Sequence, residues 1–204
     1  MSHRRSTLLA LCVTLAASAM FWSSCKTGPS TRLYVLTPLT RVESVPQATG
    51  VHGGVAIGVG PVELPRYVNR PQIVTGHNAP ELQSAALAQW AEPLQDGFTR
   101  VLAENLSLLL ATERVAIFPW KSFVPEYQVV IEVTHFLGQT GGEVSLVALW
   151  SILRQNRKDV LVSKKSSFRE STGSSGYEAL AAAMSRTVAA LSRDIAAVVM
   201  ALPQ

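Results

Sequence analysis

Cysteine is scarce in this chain, which has two cysteines, Cys12 and Cys25, among its 204 residues. Cys12 lies in the N-terminal segment that we expect to be removed as a leader, so Cys25 would be the single cysteine of the mature chain. An intrachain disulfide and a metal site built from cysteine thiolates are then both excluded. An exported domain of this kind must be stabilised by its hydrophobic core rather than by disulfides.

The chain also lacks an N-terminal hydrophobic run long enough to cross a membrane. The mostly apolar run from Leu8 to Trp22 has about 15 residues, whereas a transmembrane helix needs about 20. A short basic head at residues 3–5 precedes the run, and the small residues Ser23 and Ser24 follow it. This arrangement is typical of a secretory signal peptide.

Cys25 follows these small residues directly and makes the interpretation more specific. Bacterial lipoproteins are cleaved just before a cysteine whose thiol carries a diacylglycerol, and this segment resembles their lipobox. Trp22 departs from that pattern, which usually has an aliphatic residue at this position. The alternative is ordinary cleavage after residues 17–19, which would leave Cys25 as a free thiol.

The lipobox predicts lipidation of Cys25 and therefore a membrane anchor without a transmembrane helix. A single acyl chain anchors a protein only marginally, whereas two or three chains anchor it stably. We therefore predict a signal peptide at 1–24, a lipidated N-terminus and tether at 25–32, and one domain at 33–204.

The chain has no strong excess of charge of either sign. Cleavage of the leader would remove two of the 18 basic residues and none of the 14 acidic ones, which lowers the formal charge from +4 to about +2. This balance is too weak to indicate a nucleic-acid partner or an electrostatic membrane patch.

Alternating and helical hydrophobic patterns predict an α/β fold for the domain. The fold class we predict is a single domain with a mixed β-sheet, a C-terminal antiparallel meander and two principal helices. The predicted strands are Leu33–Leu36, Val55–Val59 (ended by Gly60-Pro61), Glu81–Ala86, Val115–Phe118, Tyr127–His135, Glu143–Leu153 and Val160–Phe168. We expect a loop at Arg41–Gly54, a flexible break at Ser171–Gly176, and a long C-terminal helix that lies across one face of the sheet.

The first helix carries an unusual polar residue. Its apolar stripe runs from Trp90 to Leu109 at spacings of three and four residues, and Asn105 falls on that stripe. We therefore expect Asn105 to be buried and hydrogen bonded, with the segment Glu63–Gln72 as a candidate partner.

A proline-rich segment follows the Val55–Val59 strand. Its three prolines, Pro61, Pro65 and Pro71, exclude a helix and restrain the backbone. Tyrosine and arginine are enriched at binding hot spots, so the segment predicts a partner-binding surface; an alternative is a well-packed loop with solvated arginines. The candidate partner-binding residues are Glu63, Arg66, Tyr67 and Arg70.

Catalytic and metal-binding patterns are weak. Gly58-Val59-Gly60 lacks the third glycine of a dinucleotide fingerprint, and Pro61 prevents a helix from starting there. Gly173–Gly176 lacks the spacing of a nucleophile elbow. No carboxylate pair or histidine has a recognisable catalytic or ligand spacing. We therefore predict a protein that is not an enzyme, with no cofactor, no metal site and no catalytic residue.

One long stretch of the sequence resembles a known family. The run Ile57-Gly-Val-Gly-Pro-Val-Glu-Leu-Pro-Arg-Tyr-Val-Asn-Arg-Pro-Gln-Ile-Val74 is similar to the signature of the PqiC/YmbA lipoproteins, the auxiliary lipoprotein components of ABC-type transport systems. Trp90–Leu94, Arg100–Leu106 and Ala183–Arg186 fit the same family. The resemblance covers nearly all of the mature chain.

The resemblance implies a non-catalytic, lipid-anchored component of an envelope lipid-transport system in a Gram-negative bacterium. An MCE-domain protein and an ABC-type or related membrane component are the implied partners, and a homo-oligomeric ring is an implied form of assembly. Lys26 after the lipidated cysteine implies sorting to the periplasmic face of the outer membrane. Two alternatives remain open: a periplasmic lipoprotein that binds a lipid or small ligand, and a periplasmic hydrolase.

Overall fold

The computed structural model of the chain describes residues 30–40, 54–76, 80–154 and 159–202. Cys25 and residues 41–53 of the expected loop lie outside the described residues. The strands are β1 (Arg32–Tyr34), β2 (Ile57–Glu63), β3 (Gln72–Thr75), β4 (Gln83–Trp90), β5 (Val115–Ile117), β6 (Tyr127–Gly138), β7 (Glu143–Arg154) and β8 (Asp159–Ser171). The helices are α1 (Leu94–Leu109) and α2 (Tyr177–Ala201).

The strands form two sheets. The larger sheet has the order β5-β2-β6-β7-β8, and the smaller one has the order β1-β4-β3. β2 pairs in parallel with both β5 and β6, whereas β6, β7 and β8 are antiparallel neighbours. In the smaller sheet, β4 pairs in parallel with β1 and antiparallel with β3. The predicted fold class, a mixed α/β domain with two helices and a C-terminal meander, is confirmed.

The helices pack on the larger sheet and on each other. α1 contacts β2, β5 and α2, and α2 contacts β7 and β8, as expected for a helix that covers one sheet face. The even positions of β7 from Val144 to Ile152 are buried beneath this layer, and Phe98 of α1 meets Phe136 of β6 edge to face at 5.5 Å. In the part of the chain that the structure describes, neither helix is long and apolar enough to span a membrane.

The meander was predicted almost to its bounds because its alternation is regular. Tyr127, Val129, Ile131 and Val133 are buried, as a two-residue period requires. The register shifts between Val133 and His135, and the buried face then continues at Phe136. This irregularity allows β6 to run beyond the predicted end at His135.

The prediction that β2 ends at Gly60-Pro61 was wrong. The strand continues to Glu63, and its register against β6 shifts between Val59 and Val62. Gly60 has φ +113°, a backbone conformation that side chains disfavour, and it lies in this shift. A bulge is where a central strand tolerates proline, which explains how Pro61 is accommodated.

The boundary between β4 and α1 also differs from the prediction. β4 runs from Gln83 to Trp90, whereas the sequence predicted a strand at Glu81–Ala86 and placed Trp90 on the helical stripe. Pro93 is the N-cap residue of α1, so the helix begins at Leu94. Trp90 is instead a buried residue at the end of β4. Because it lies four positions before Leu94, the sequence alone also placed it on the helical stripe.

Candidate docking surface

The proline-rich segment forms a compact turn between β2 and β3. The amides of Val68 and Asn69 both donate to the Pro65 carbonyl, at 3.1 and 3.2 Å, and the Arg70 amide donates to the Val68 carbonyl. Val68 is 2% exposed and anchors the turn in the core. Leu64, at 8% exposure, is buried as well, so the turn is ordered by its own hydrogen bonds and by two buried side chains.

Asn69 fastens this turn to the first residues of α1. The Gln95 backbone amide donates to Asn69 Oδ1 at 3.2 Å, and Asn69 Nδ2 donates to Gln95 Oε1 at 3.3 Å. The first amides of a helix have no partner within the helix, so Asn69 acts as a cap supplied from another element. The Pro71 carbonyl accepts from the Trp90 amide at 2.7 Å and holds the far end.

The predicted partner-binding residues lie in two elements. Arg66, Tyr67 and Arg70 are exposed on the turn, and Arg70 Nε donates to Gln72 Oε1 at 3.4 Å. Glu63 is exposed at the end of β2, in register with Glu132 of β6. Their role in binding stays a prediction. All four side chains are accessible to a partner.

Tyr67 is 39% exposed. Partial burial of its phenol raises the pKa of Tyr67 above the ordinary value of 10.0. The ring therefore lies partly against the protein, with its neutral form favoured.

Arg100 organises the polar surface beside this turn. Its guanidinium bonds Glu92 at 2.6 Å, Glu104 at 3.1 Å and the Leu36 carbonyl at 3.1 Å. The hydrogen bond to Glu92, followed by that to Glu104, raises the pKa of Arg100 above its ordinary value, against the opposing effect of burial. Arg100 thus joins α1 to the residues that follow β1 and to those that follow β4.

Asn105 is fully buried, as predicted, but its expected partner was wrong. Its Oδ1 accepts from the Leu39 amide at 2.7 Å, and its Nδ2 donates to Ser192 Oγ of α2 at 3.1 Å. The Thr37 amide donates to Ser185 Oγ of α2 at 3.0 Å. Asn105 therefore holds segment 36–39, which crosses the junction of the two helices. The predicted segment, Glu63–Gln72, contacts α1 through Asn69 instead.

A surface groove runs along α1, beside β2 at the start of the helix and beside β5 farther along, in two hollows that share Ile117. One, of about 430 Å³, lies at the start of α1, and the other, of about 590 Å³, lies along its second half. Ile117 is 44% exposed and Phe118 is 47% exposed. The charged residues among the two linings are Glu92, Asp96, Glu104, Glu113 and Arg100, which give a formal charge of −3.

Nothing in the described ranges resembles a metal site, since no group of three or more histidine, cysteine or acidic residues could hold a metal ion there. One serine does contact a carboxylate: the Ser166 hydroxyl donates to Asp194 at 2.5 Å. Its other partner is the Trp150 indole N–H, and Lys164 bonds the same carboxylate. These contacts tie β8 to α2 and satisfy a buried indole.

The sequence missed the α1–β5 groove and the contacts of segment 36–39. Asn105 was the one signal for the second, since a buried amide requires partners. The groove had no local signal, because its walls belong to different elements, a helix and two strands, that only the fold brings together.

The comparisons with known proteins agree with this architecture. A crystal structure of an uncharacterized protein matches with a TM-score of 0.65 and 17% identity, covering 84% of this chain and 99% of that one. Protein XCC0632 from Xanthomonas campestris matches with a TM-score of 0.67 and 18% identity, covering 81% of this chain and 93% of that one. At such identities these likenesses show the fold alone.

The search of curated proteins gave no significant match. The family model described as "ABC-type transport auxiliary lipoprotein component" matches residues 34–196, which is most of the chain and nearly all of the described domain. The resemblance stated from the sequence is thereby confirmed, and the chain belongs to the family of ABC-type transport auxiliary lipoprotein components.

Proposed function

We propose that this chain is a non-catalytic, lipid-anchored periplasmic component of an envelope lipid-transport system, which docks an MCE-type or ABC transport assembly to the membrane. The observation that carries the proposal is the family match over residues 34–196. The lipobox ending at Cys25 supports it independently, because acyl chains on that sulfur would hold the domain at a membrane surface. The proposed organisation is a signal peptide at 1–24, a lipidated tether at 25–32 and the docking domain from residue 33.

The outer membrane is the proposed site of anchoring, facing the periplasm, since Lys26 rather than aspartate follows the cysteine. A ring of identical subunits is the proposed assembly. The partner-binding surface is proposed to include Arg66, Tyr67 and Arg70 on the proline-rich turn, with Glu63 nearby. The rigid backbone of this turn supports that role, because a preordered surface loses little conformational entropy on binding.

The anchoring half of the proposal is tested by Cys25→Ser. The variant should move from the membrane fraction to the soluble periplasmic fraction, because its thiol is gone and no acyl chain can be attached. Retention in the membrane fraction after a high-salt wash would contradict lipid anchoring.

The docking half is tested by Arg66→Glu combined with Tyr67→Ala, with an MCE-domain partner co-purified from membranes. Both residues are exposed, so the domain should fold normally while co-purification is lost. Lys165→Glu with Val160→Ala is a matched control, since it reverses one exposed charge and truncates one exposed apolar residue on β8. Equal recovery of the partner by both double variants would count against this surface.

A further inference from the structure

We infer that the groove between α1 and β5 binds an extended, positively charged segment of a partner protein, which adds to the larger sheet as a strand beside β5. The inference rests on the contacts of α1 and β5 and not on the transport role. It assigns a binding surface apart from the proline-rich turn.

Among the described residues β5 is an edge strand, and none of them pairs with its outer backbone groups. The Arg114 carbonyl accepts from the Ile57 amide, and the Phe118 amide donates to the Val59 carbonyl, so these backbone groups face β2. Because backbone direction alternates along a strand, the N–H and C=O groups of Val115 and Ile117 point away from β2. An extended chain beside β5 would find donors and acceptors in register, which is the basis of strand addition.

The side chains beside this edge are apolar and acidic, and the acidic ones are exposed. Val115, Ile117 and Leu108 line the larger hollow, together with Glu104 and Glu113. Successive side chains of an added strand would point alternately into and out of this hollow. A lysine or arginine that points inward could lay its methylene groups on the apolar side chains and bring its charge to the carboxylates.

The charge of the groove selects a basic occupant. Arg100 is the single cation among the lining residues, and it already pairs with Glu92 and Glu104. Neither Asp96 nor Glu113 forms a salt bridge with another residue of the described ranges. An acidic segment would add like charge to this surface, whereas a segment with lysine or arginine at alternate positions would neutralise it.

Two synthetic peptides test the inference with the full-length protein in detergent. One is an eight-residue alternation of lysine and valine, and the other replaces each lysine by glutamate. We expect the lysine peptide to bind at least about tenfold more tightly, which corresponds to about 1.4 kcal/mol. Hydrogen exchange at Val115 and Ile117 should slow when it binds. A third peptide, with N-methyl groups on alternate amides, removes strand pairing and should bind at least about tenfold more weakly.

Protein variants complete the test. Glu113→Lys should weaken the lysine peptide several-fold and the glutamate peptide not at all. Ile117→Pro removes an amide that faces outward, so the pairing with β2 should be retained while peptide binding is lost. Ile117→Ala controls for the shortened side chain and should bind more tightly than Ile117→Pro.

Equal binding of the lysine and glutamate peptides would overturn the inference, and so would equal binding of the lysine peptide and its N-methylated form. Protection from hydrogen exchange at β8 instead of β5 would also overturn it. So would slow exchange at Val115 and Ile117 before any peptide is added. Slow exchange that disappears on dilution would identify a second copy as the occupant. Slow exchange that disappears when residues 41–53 are replaced by a glycine-serine linker would identify the chain itself.

Discussion

The two edges of the larger sheet are built differently. β8 spans Asp159–Ser171 and carries Lys164 and Lys165 at its middle, whereas β5 spans only Val115–Ile117 and leads directly to the exposed Phe118. Lysine on an edge strand discourages pairing with another chain, because its charge would be brought against the incoming strand. β5 has no charged side chain, although Glu113 and Arg114 precede it.

The difference indicates which side of the sheet is available to a partner. The middle of β8 is fastened to α2, since Lys164 bonds Asp194 at 2.6 Å and Ser166 bonds the same carboxylate. β5 instead faces an open groove whose far wall, α1, is held by buried polar contacts from distant segments. The β5 side thus combines a backbone edge that no other described strand covers with a helix that is held in place by distant segments.

The largest expected loss of stability comes from removing the Asn105 side chain of α1, the helix that forms the far wall of the groove beside β5. Asn105→Ala would remove a fully buried side chain and leave the partly buried Leu39 amide without its acceptor, which should lower the free energy of unfolding by about 2 kcal/mol. Urea denaturation followed by circular dichroism would measure it. Asn69→Ala is the matched control, because its contacts with Gln95 are exposed and the loss should be about 0.5 kcal/mol. Similar losses of stability for both variants would mean that Asn105 does not hold segment 36–39 in place.

A smaller effect is expected on the outer face of β2, next to β5. A Cβ added at Gly58 would lie 2.7 Å from the Trp120 ring, so Gly58→Ala should displace that ring and cost about 1 to 2 kcal/mol. The measurement is the shift in the urea midpoint together with a change in tryptophan fluorescence. Gly54→Ala is the control, since a Cβ there meets nothing within 4 Å. An unchanged midpoint for Gly58→Ala would show that Trp120 does not pack tightly on β2.

The corresponding change on the β8 side should matter less. Lys164→Met removes a partly exposed ion pair with Asp194, whose worth should be about 0.5 kcal/mol and should fall as salt is added. Thermal unfolding of the variant and the unaltered chain at low and high salt would measure this. A loss above about 2 kcal/mol would contradict the small worth expected of a single solvent-screened ion pair.

The smallest expected effect is a pH dependence at Tyr67. Burial raises the pKa of Tyr67, so above pH 10 the folded chain retains this proton more often than the unfolded chain. Stability should therefore fall as the pH rises above about 10, and Tyr67→Phe should fall less steeply. Urea midpoints between pH 9 and 11 would check this, and identical slopes for both proteins would contradict a partly buried phenol.

The sequence predicted the β8 side better than the β5 side, for a physical reason. The meander is local, so Tyr127–Val133 and Val144–Ile152 show their buried faces as a period of two, and α2 shows its face as an apolar stripe. The β5 side depends on contacts between distant segments. Asn105 meets Leu39 and Ser192 across 66 and 87 positions, and no local pattern names those partners.

The same reason explains what was predicted of the candidate surface. The three prolines predicted an ordered segment with exposed arginines, because proline restrains the backbone whatever the tertiary contacts are. The strand through Pro61 was missed, since a bulge is defined by its partner strand. The groove was missed because Glu104 and Ile117 become neighbours only when α1 packs beside β5.

Photo-crosslinking in intact cells tests the docking account most directly, with benzoylphenylalanine introduced in place of Phe118 or of Val160. Val160 is the more exposed of the two, at 59% against 47%, so exposure alone would favour it. The account predicts that position 118 cross-links to an extended, lysine- or arginine-bearing segment of another envelope protein and that position 160 does not. Cross-links at position 160 alone, or at position 118 only to another copy of this chain, would contradict it.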